Sequence, residues 1–95
     1  MIDLKGNNIS SKGFIEIFNS LRNNYQLKSL NIEWNRLGCP DISGVESLYA
    51  YLSSNRSITH LDIKNNKINP IGAHIISNIL RNNNSLVSID LRFYI

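Results

Sequence analysis

The sequence predicts an α/β fold, a right-handed solenoid bent into a horseshoe arc, with parallel strands on the concave side and helices on the convex side. Three observations predict it: a short segment recurs, each copy opens with alternating apolar residues, and each is followed by apolar residues at helical spacing. The segment at residues 61–68 has counterparts at 30–37 and 2–9, and residues 89–95 begin a fourth copy. The steps between copies are 28, 31 and 28 residues.

These steps divide the chain into units of one strand and one helix. We expect a single domain over residues 1–95, in which about three repeats are followed by the start of a fourth. Solenoids normally shield both ends with polar caps, and neither end of this sequence shows one. The sequence is therefore expected to be a segment of a longer array, or to self-associate through its uncapped ends. The repeats are placed at residues 2–29, 30–60 and 61–88, with the fourth begun at 89–95.

The strands are predicted from pairs of apolar residues separated by one position, which is the period of a strand. Residues between and just after each pair point to the opposite face, which we expect to be the concave surface. The pairs are Ile2/Leu4, Leu30/Ile32, Leu61/Ile63 and Ile89/Leu91.

The segments between strands are predicted to be amphipathic helices of about three turns, because their apolar residues recur at three and four positions. Asn69 followed by Pro70 is typical of a helix start, since the amide side chain can cap and proline needs no N–H there. Three asparagines near the helix ends are expected to adopt the left-handed conformation that stops a helix. The apolar sets are Phe14/Ile17/Phe18/Leu21, Val45/Leu48/Tyr49/Leu52 and Ile75/Ile76/Ile79/Leu80, and the asparagines are Asn24, Asn55 and Asn83.

The expected arc follows from the spacing of the two layers. Parallel strands joined by crossover helices form right-handed units. Neighbouring strands lie ~4.8 Å apart, whereas packed helices need ~8 to 10 Å. The helix side must therefore fan out, and the strand side becomes concave.

Asparagine recurs at the point where each strand ends, at Asn7, Asn35 and Asn66. A side-chain amide there can donate to and accept from backbone groups of adjacent coils. We expect these residues to form a structural ladder that holds consecutive repeats in register.

The repeat pattern resembles a known family. Leu27, Leu30, Ile32, Asn35 and Leu37 fit the pattern LxxLxLxxNxL, as do the equivalent residues from Ile58 to Ile68. This pattern resembles the 28-residue, ribonuclease-inhibitor-like class of leucine-rich repeats, which also occurs in intracellular innate-immune receptors and in the GTPase-activating protein for Ran. The resemblance implies protein binding, and it leaves the partner open because the matching residues are structural.

The candidate partner-binding residues are those predicted to line the concave strand face. Trp34 stands out, because a large aromatic residue at a solvent-facing position matches the residue types enriched at binding hot spots. The alternative is that Trp34 packs on Arg36 or on the loop at residues 38–43, which carries the three extra residues of the second repeat. The full set of candidates is Trp34, Phe93, Glu33, Asp62, Lys64, Asp90, Arg92 and His60.

Composition argues against several other function classes. The net charge of +3 comes from scattered residues without a basic run, so neither nucleic acid nor a membrane surface is an expected partner. No spacing of His, Cys and carboxylate residues suggests a metal site, a cofactor or a nucleophile with its base. Cys39 is the single cysteine and no signal peptide is visible, so we expect a cytoplasmic protein.

The sequence thus favours a non-enzymatic scaffold that binds a protein partner on its concave face. Two alternatives stay open at this point. One is a regulatory region similar to that of a GTPase-activating protein, which would engage a small GTPase. The other is a structural spacer between domains of a longer polypeptide.

Overall fold

A computed structural model describes residues 1–83, 85, 86 and 88–90, the last three by their backbone. Strands and helices alternate along the chain. All four strands are parallel and follow one another in chain order across a single sheet, with Ile2 opposite Leu30, Leu30 opposite Leu61, and Leu61 opposite Ile89. The elements are β1 (Ile2–Asp3), α1 (Ser11–Leu21), β2 (Ser29–Asn31), α2 (Ser43–Ser54), β3 (His60–Asp62), α3 (Pro70–Asn82) and β4 (Ser88–Asp90).

The core lies between the sheet and one layer of helices. Leu30 and Ile32 around β2, and Leu61 and Ile63 around β3, are buried on the side that faces the helices. Their partners are apolar helix residues, so the α/β prediction is confirmed, whereas the horseshoe arc and its hand stay predictions. The buried helix residues are Phe14, Phe18, Val45, Leu48, Tyr51, Leu52, Ile76 and Ile79.

The three helices begin in different ways. Asn69 caps α3 as predicted: its Oδ1 accepts the backbone N–H of Gly72 at 2.7 Å, and Pro70 is the first helical residue. Ser10 precedes α1 without a capping hydrogen bond from its side chain. Before α2, Asp41 Oδ1 accepts the backbone N–H and the hydroxyl of Ser43, at 3.0 and 2.6 Å.

The expectation that asparagines stop the helices in a left-handed conformation is wrong. Asn55 and Asn83 have φ near −101° and −105°, which is extended backbone. Their side chains instead link repeats: Asn55 Nδ2 donates to the carbonyl of Asn24 at 3.1 Å, and Asn83 Nδ2 donates to that of Leu52 at 3.2 Å. Asn55 Oδ1 also accepts the backbone N–H of Ile58 at 3.0 Å. These residues form a second line of amide contacts, at the ends of the helices.

Glycine permits the close approach of consecutive repeats near the start of α2. A Cβ on Gly44 would collide with the carbonyl oxygen of Leu37 and would lie 2.8 Å from Cα of Ser11 in the preceding helix. Gly38, in the longer loop of the second repeat, would similarly collide with the carbonyl of Lys67 in the next repeat.

The strand-end asparagines hydrogen bond to backbone groups of their own repeat and of the one before it. Asn35 Oδ1 accepts the N–H groups of Asn7 and Ile9, at 3.1 and 2.9 Å, while its Nδ2 donates to the carbonyl of Leu4 at 2.9 Å. Asn66 is fully buried and repeats the arrangement one unit further on. Its Oδ1 accepts the N–H of Leu37 at 3.0 Å, and its Nδ2 donates to the carbonyl of Ile32 at 2.9 Å.

Replacing Asn66 with Ala should lower the free energy of unfolding by about 1 to 3 kcal/mol, because buried backbone groups lose their partners. Chemical denaturation followed by circular dichroism measures this change. Asn82→Ala is the matched control, since Asn82 is exposed in the last turn of α3 and its loss should change stability by less than about 0.5 kcal/mol. Equal destabilisation by the two substitutions would contradict the structural role of the buried amide.

Candidate functional site: the open sheet face

The sheet surface that points away from the helices is the candidate site, and we call it the open sheet face. It forms because alternate strand residues point away from the core. Its described residues come from the strands and from the two or three positions after each strand. They are Asp3, Lys5, Asn31, Glu33, Trp34, His60, Asp62 and Lys64.

In each strand segment, the residue between the two core-facing apolar residues turns its side chain back onto its own chain. In three successive repeats an Asp or Asn Oδ1 accepts the backbone N–H two residues later, which is a local turn typical of these residue types. Asp62 thus has a structural contact in addition to its predicted role in partner binding. The pairs are Asp3 with Lys5, Asn31 with Glu33, and Asp62 with Lys64, at 3.0, 3.0 and 3.3 Å.

Glu33 lies between two lysines from the neighbouring repeats. Its Oε1 is 3.1 Å from Lys5 Nζ, and its Oε2 is 3.1 Å from Lys64 Nζ. Lys64 Nζ also lies 3.7 Å from a carboxylate oxygen of Asp62. We call these four residues the charge chain. Only 5% of Glu33 is exposed, so the expectation that it faces solvent on the concave surface is wrong. The physical reason is that the lysine side chains on both sides extend toward it.

The two lysines keep Glu33 ionised despite its burial. Burial raises the pKa of the Glu33 carboxyl, but the hydrogen bonds and positive charges of Lys64 and Lys5 lower it by more. The pKa of Glu33 therefore lies below its ordinary value of 4.5. At neutral pH the charge chain holds two cations and two anions, which compensate one another across three strands.

Among the described residues of this face, Trp34 is the exposed large aromatic side chain, with 58% of its surface accessible. Its backbone is left-handed, with φ of 57°, and its N–H donates to the carbonyl of Lys64 at 3.1 Å. The same turn position holds Gly6 in the first repeat and Asn65 in the third, with φ of 71° and 59°. Glycine and asparagine tolerate this conformation, whereas a bulky aromatic residue there is an outlier that costs about 1 to 3 kcal/mol.

The structure describes only some of the remaining candidate residues. His60 is exposed at the start of β3, where its Nδ1 lies 2.9 Å from the hydroxyl oxygen of Thr59. Asp90 is in β4, but its side chain lies outside the described residues, as do Arg92 and Phe93. The structure therefore places five of the eight predicted residues on the open sheet face, with His60 at the other end of the strands from the remaining four, which are Trp34, Glu33, Asp62 and Lys64.

Two features of this face had signals in the sequence that pattern reasoning did not use. The charge alternates between equivalent residues of three successive repeats, Lys5, Glu33 and Lys64, which predicts ion pairs between adjacent parallel strands. Gly6 and Asn65, at the position of Trp34, indicate a turn that needs positive φ. Both signals appear only when equivalent residues of different repeats are compared.

Other kinds of site find no support in the part of the chain that the structure describes. None of its groups of His, Cys, Asp and Glu has three members close enough to hold a metal ion. Within the same residues, no helix combines the length and apolar character that crossing a bilayer requires.

Comparison with known proteins agrees with the repeated strand and helix units. The family model described as the leucine rich repeat matches residues 54–74, which include β3 and the start of α3. The chain is a leucine-rich repeat protein. It is 39% identical over 72 residues to leucine-rich repeat-containing protein 45 of Gallus gallus. That match covers 76% of this leucine-rich repeat chain but only 11% of the length of the chicken protein.

Leucine-rich repeats commonly mediate protein–protein interactions. For this leucine-rich repeat protein, the open sheet face offers an exposed aromatic residue beside a compensated charge chain. The arrangement is suited to holding another protein surface, with an apolar contact at Trp34 and polar contacts around it.

Replacing Glu33 with Gln should lower the free energy of unfolding by about 1 to 3 kcal/mol at neutral pH, because both lysines lose a charged hydrogen-bond partner. The effect should depend on pH. Since the pKa of Glu33 is lower in the folded chain than in the unfolded one, its stabilisation is present above about pH 4.5 and is lost as the pH falls through the folded value.

Urea titrations of wild type and Glu33→Gln between pH 3 and 7 test this prediction. The free energies of unfolding of the two proteins should differ at neutral pH and converge in acid. Glu46→Gln is the control, because Glu46 is exposed on α2. A difference between wild type and Glu33→Gln that stays constant with pH would contradict the assigned ion pairs.

Replacing Trp34 with Asn should leave stability unchanged or raise it by about 1 kcal/mol, because Asn tolerates positive φ better than Trp does. Asn65 already holds this position in the next repeat. Thermal unfolding measures the change, and Trp34→Val is the comparison, since a β-branched residue should relieve no strain there. A clear loss of stability in Trp34→Asn would show that the indole packs against the fold.

Proposed function

We propose that this protein is a non-enzymatic, cytoplasmic interaction module that binds a protein partner on the open sheet face, with Trp34 as the central contact. The observation that carries the proposal is the exposure of Trp34 in a backbone conformation that its residue type disfavours. Glycine and asparagine fill the same position elsewhere, so the repeat itself does not require an aromatic residue. A role in binding explains why tryptophan is present.

The charge chain favours partner binding through an apolar contact at Trp34 over binding that is driven by electrostatic attraction. Cations and anions alternate in the charge chain, with Glu33 3.1 Å from both Lys5 and Lys64 and with Asp62 3.7 Å from Lys64. Compensated charges at the edge of an interface contribute orientation more than affinity, whereas aromatic residues dominate the energetics of many interfaces. We therefore expect partner affinity to depend strongly on Trp34 and weakly on salt.

The shape that we propose for the site is the concave surface of an arc, built from repeats of the ribonuclease-inhibitor-like class. Its support is the difference between the strand and helix spacings, together with the repeat lengths of 28 and 31 residues. A concave sheet would let residues from several repeats contact one partner at the same time. His60, which is exposed on the neighbouring strand opposite Ser29, is the next residue expected to contribute.

The test compares partner capture by three immobilised chains: wild type, Trp34→Asn and Ile71→Asn. Ile71 is the matched control, because it is an exposed apolar residue at the start of α3, away from the open sheet face. We expect a protein that is retained by wild type and by Ile71→Asn and lost from Trp34→Asn. Losing a hot-spot side chain should weaken binding by about 2 kcal/mol or more, which is roughly thirtyfold.

The captured protein is then purified and titrated against wild type, with fluorescence as the readout, since Trp34 is the single tryptophan. The free chain should show red-shifted and readily quenched emission, and binding should shift the emission to shorter wavelength. Repeating the titration across salt concentrations tests the predicted weak dependence. A partner that binds Trp34→Asn as tightly as wild type rules out the proposed site.

A further inference from the structure

A pocket lies between α1 and α2, on the helix side of the molecule, and we call it the α1–α2 pocket. Its volume is about 60 Å³. Since a water molecule occupies about 30 Å³ in the liquid, the pocket has room for a small polar group and none for an aromatic ring or a nucleotide. The lining includes Asn19, Arg22, Ser47, Ala50, Tyr51 and Ser54.

The hydroxyl group of Tyr51 is a buried polar group without a partner. Only 5% of Tyr51 is exposed, and its ring stacks against Phe18 of α1 with the ring centroids 5.4 Å apart. The hydroxyl oxygen is buried and forms no hydrogen bond with the residues that the structure describes. Because nearly all buried polar groups in proteins are hydrogen bonded, this hydroxyl requires a partner from outside the described chain.

Packing of the repeats does not explain why a tyrosine is present. Ile79 is the equivalent residue of α3, and 3% of it is exposed. It lines the equivalent groove between α2 and α3, which measures only about 10 Å³. An apolar side chain therefore fills this position of the repeat without leaving a buried polar atom unpaired.

The polar groups around the α1–α2 pocket are mainly hydrogen-bond donors. Burial raises the pKa of Tyr51, so its hydroxyl keeps its proton and can donate at neutral pH. Arg22 Nη2 donates to Asn19 Oδ1 at 2.9 Å, and the other guanidinium N–H groups form no hydrogen bond with the described residues. None of the residues that line the pocket is acidic. The complementary ligand is therefore a hydrogen-bond acceptor.

A carboxylate matches these donors better than a more highly charged anion does. Its two oxygens accept hydrogen bonds, and it frequently pairs with a guanidinium through two parallel bonds. Arg22 balances its single negative charge, whereas a phosphate monoester carries about −1.5 to −2. Asn19 and Ser54 lie in the last turns of α1 and α2, where the negative ends of the helix dipoles disfavour additional negative charge.

We propose that the α1–α2 pocket binds a carboxylate group carried on a short aliphatic stem. Tyr51 donates its hydroxyl hydrogen to one carboxylate oxygen, and Arg22 pairs with the same group. Phe18 and Ala50 supply the apolar contact for the stem. The ligand is a free short-chain acid or the side chain of a glutamate in a peptide, since both share this chemistry. The site is independent of the open sheet face, to which none of these residues belongs.

An NMR titration of the isotope-labelled chain with sodium propionate tests the proposal, with sodium chloride at equal ionic strength as the reference. Backbone amide signals around Arg22 and Tyr51 should shift and saturate, with a Kd on the order of millimolar for so small a ligand. Tyr51→Phe removes the hydroxyl and keeps the ring, so the affinity for propionate should fall roughly tenfold. Arg22→Gln should abolish saturable binding, because the helix dipoles then oppose the anion.

Tyr49→Phe and Arg81→Gln are the matched controls. Tyr49 lines the groove between α2 and α3, and Arg81 is the exposed equivalent of Arg22 in α3. Both variants should bind propionate as wild type does. A titration with the α-amide of N-acetylglutamate identifies the source of the carboxylate. An affinity above that of propionate assigns the pocket to a peptide side chain, and an equal or lower affinity assigns it to a free acid.

Melting temperatures without ligand separate the proposal from a pocket that holds only water. Tyr51→Phe should melt at the temperature of wild type or above it, since no hydrogen bond is lost. The absence of a saturable shift in wild type would overturn the proposal, and a lower melting temperature of Tyr51→Phe would then identify an internal water as the partner. Equal propionate binding by wild type and Tyr51→Phe would also overturn it.

Discussion

The hydrogen bonds of the strand-end asparagines are the constraint on which the rest of the structure depends. Each buried amide joins the turn of its own repeat to the turn of the repeat before it, so it fixes the register of both. An unpaired backbone group in this position would cost about as much as a lost hydrogen bond or more. The turns must therefore bring their N–H and carbonyl groups toward the amide, and after β1, β2 and β3 the chain passes through the same left-handed turn position, at Gly6, Trp34 and Asn65.

That path also determines what the open sheet face can display. To bring Asn35 inward, the preceding residue adopts a left-handed conformation, and its side chain is Trp34. Two positions before Trp34, Ile32 is held in the core by the strand. A residue that is central to the proposed binding site is thus placed by structural residues on both sides of it. Its position depends on the fold, whereas its identity does not.

Much of the fold could be predicted from the sequence because it is periodic. Alternation gave the strands, helical spacing gave the helices, and Asn69 with Pro70 correctly marked the start of α3. The error at Asn55 has a physical origin. Asparagine can end a helix by adopting positive φ or by directing its amide to nearby backbone groups, and a single repeat does not distinguish these options. The contact of Asn55 with Asn24 crosses 31 residues, so it belongs to the stack.

The candidate site was harder to predict because exposure depends on neighbouring repeats. Glu33 was predicted to face solvent, but it is buried by two lysine side chains that approach from adjacent strands. Trp34 follows Glu33 in the turn, and no long side chain from an adjacent repeat covers it. The residue at the same turn position is Gly6 in the repeat before it and Asn65 in the repeat after it. The size and charge of the equivalent side chains in the flanking repeats therefore decide whether a residue of the open sheet face is exposed to solvent.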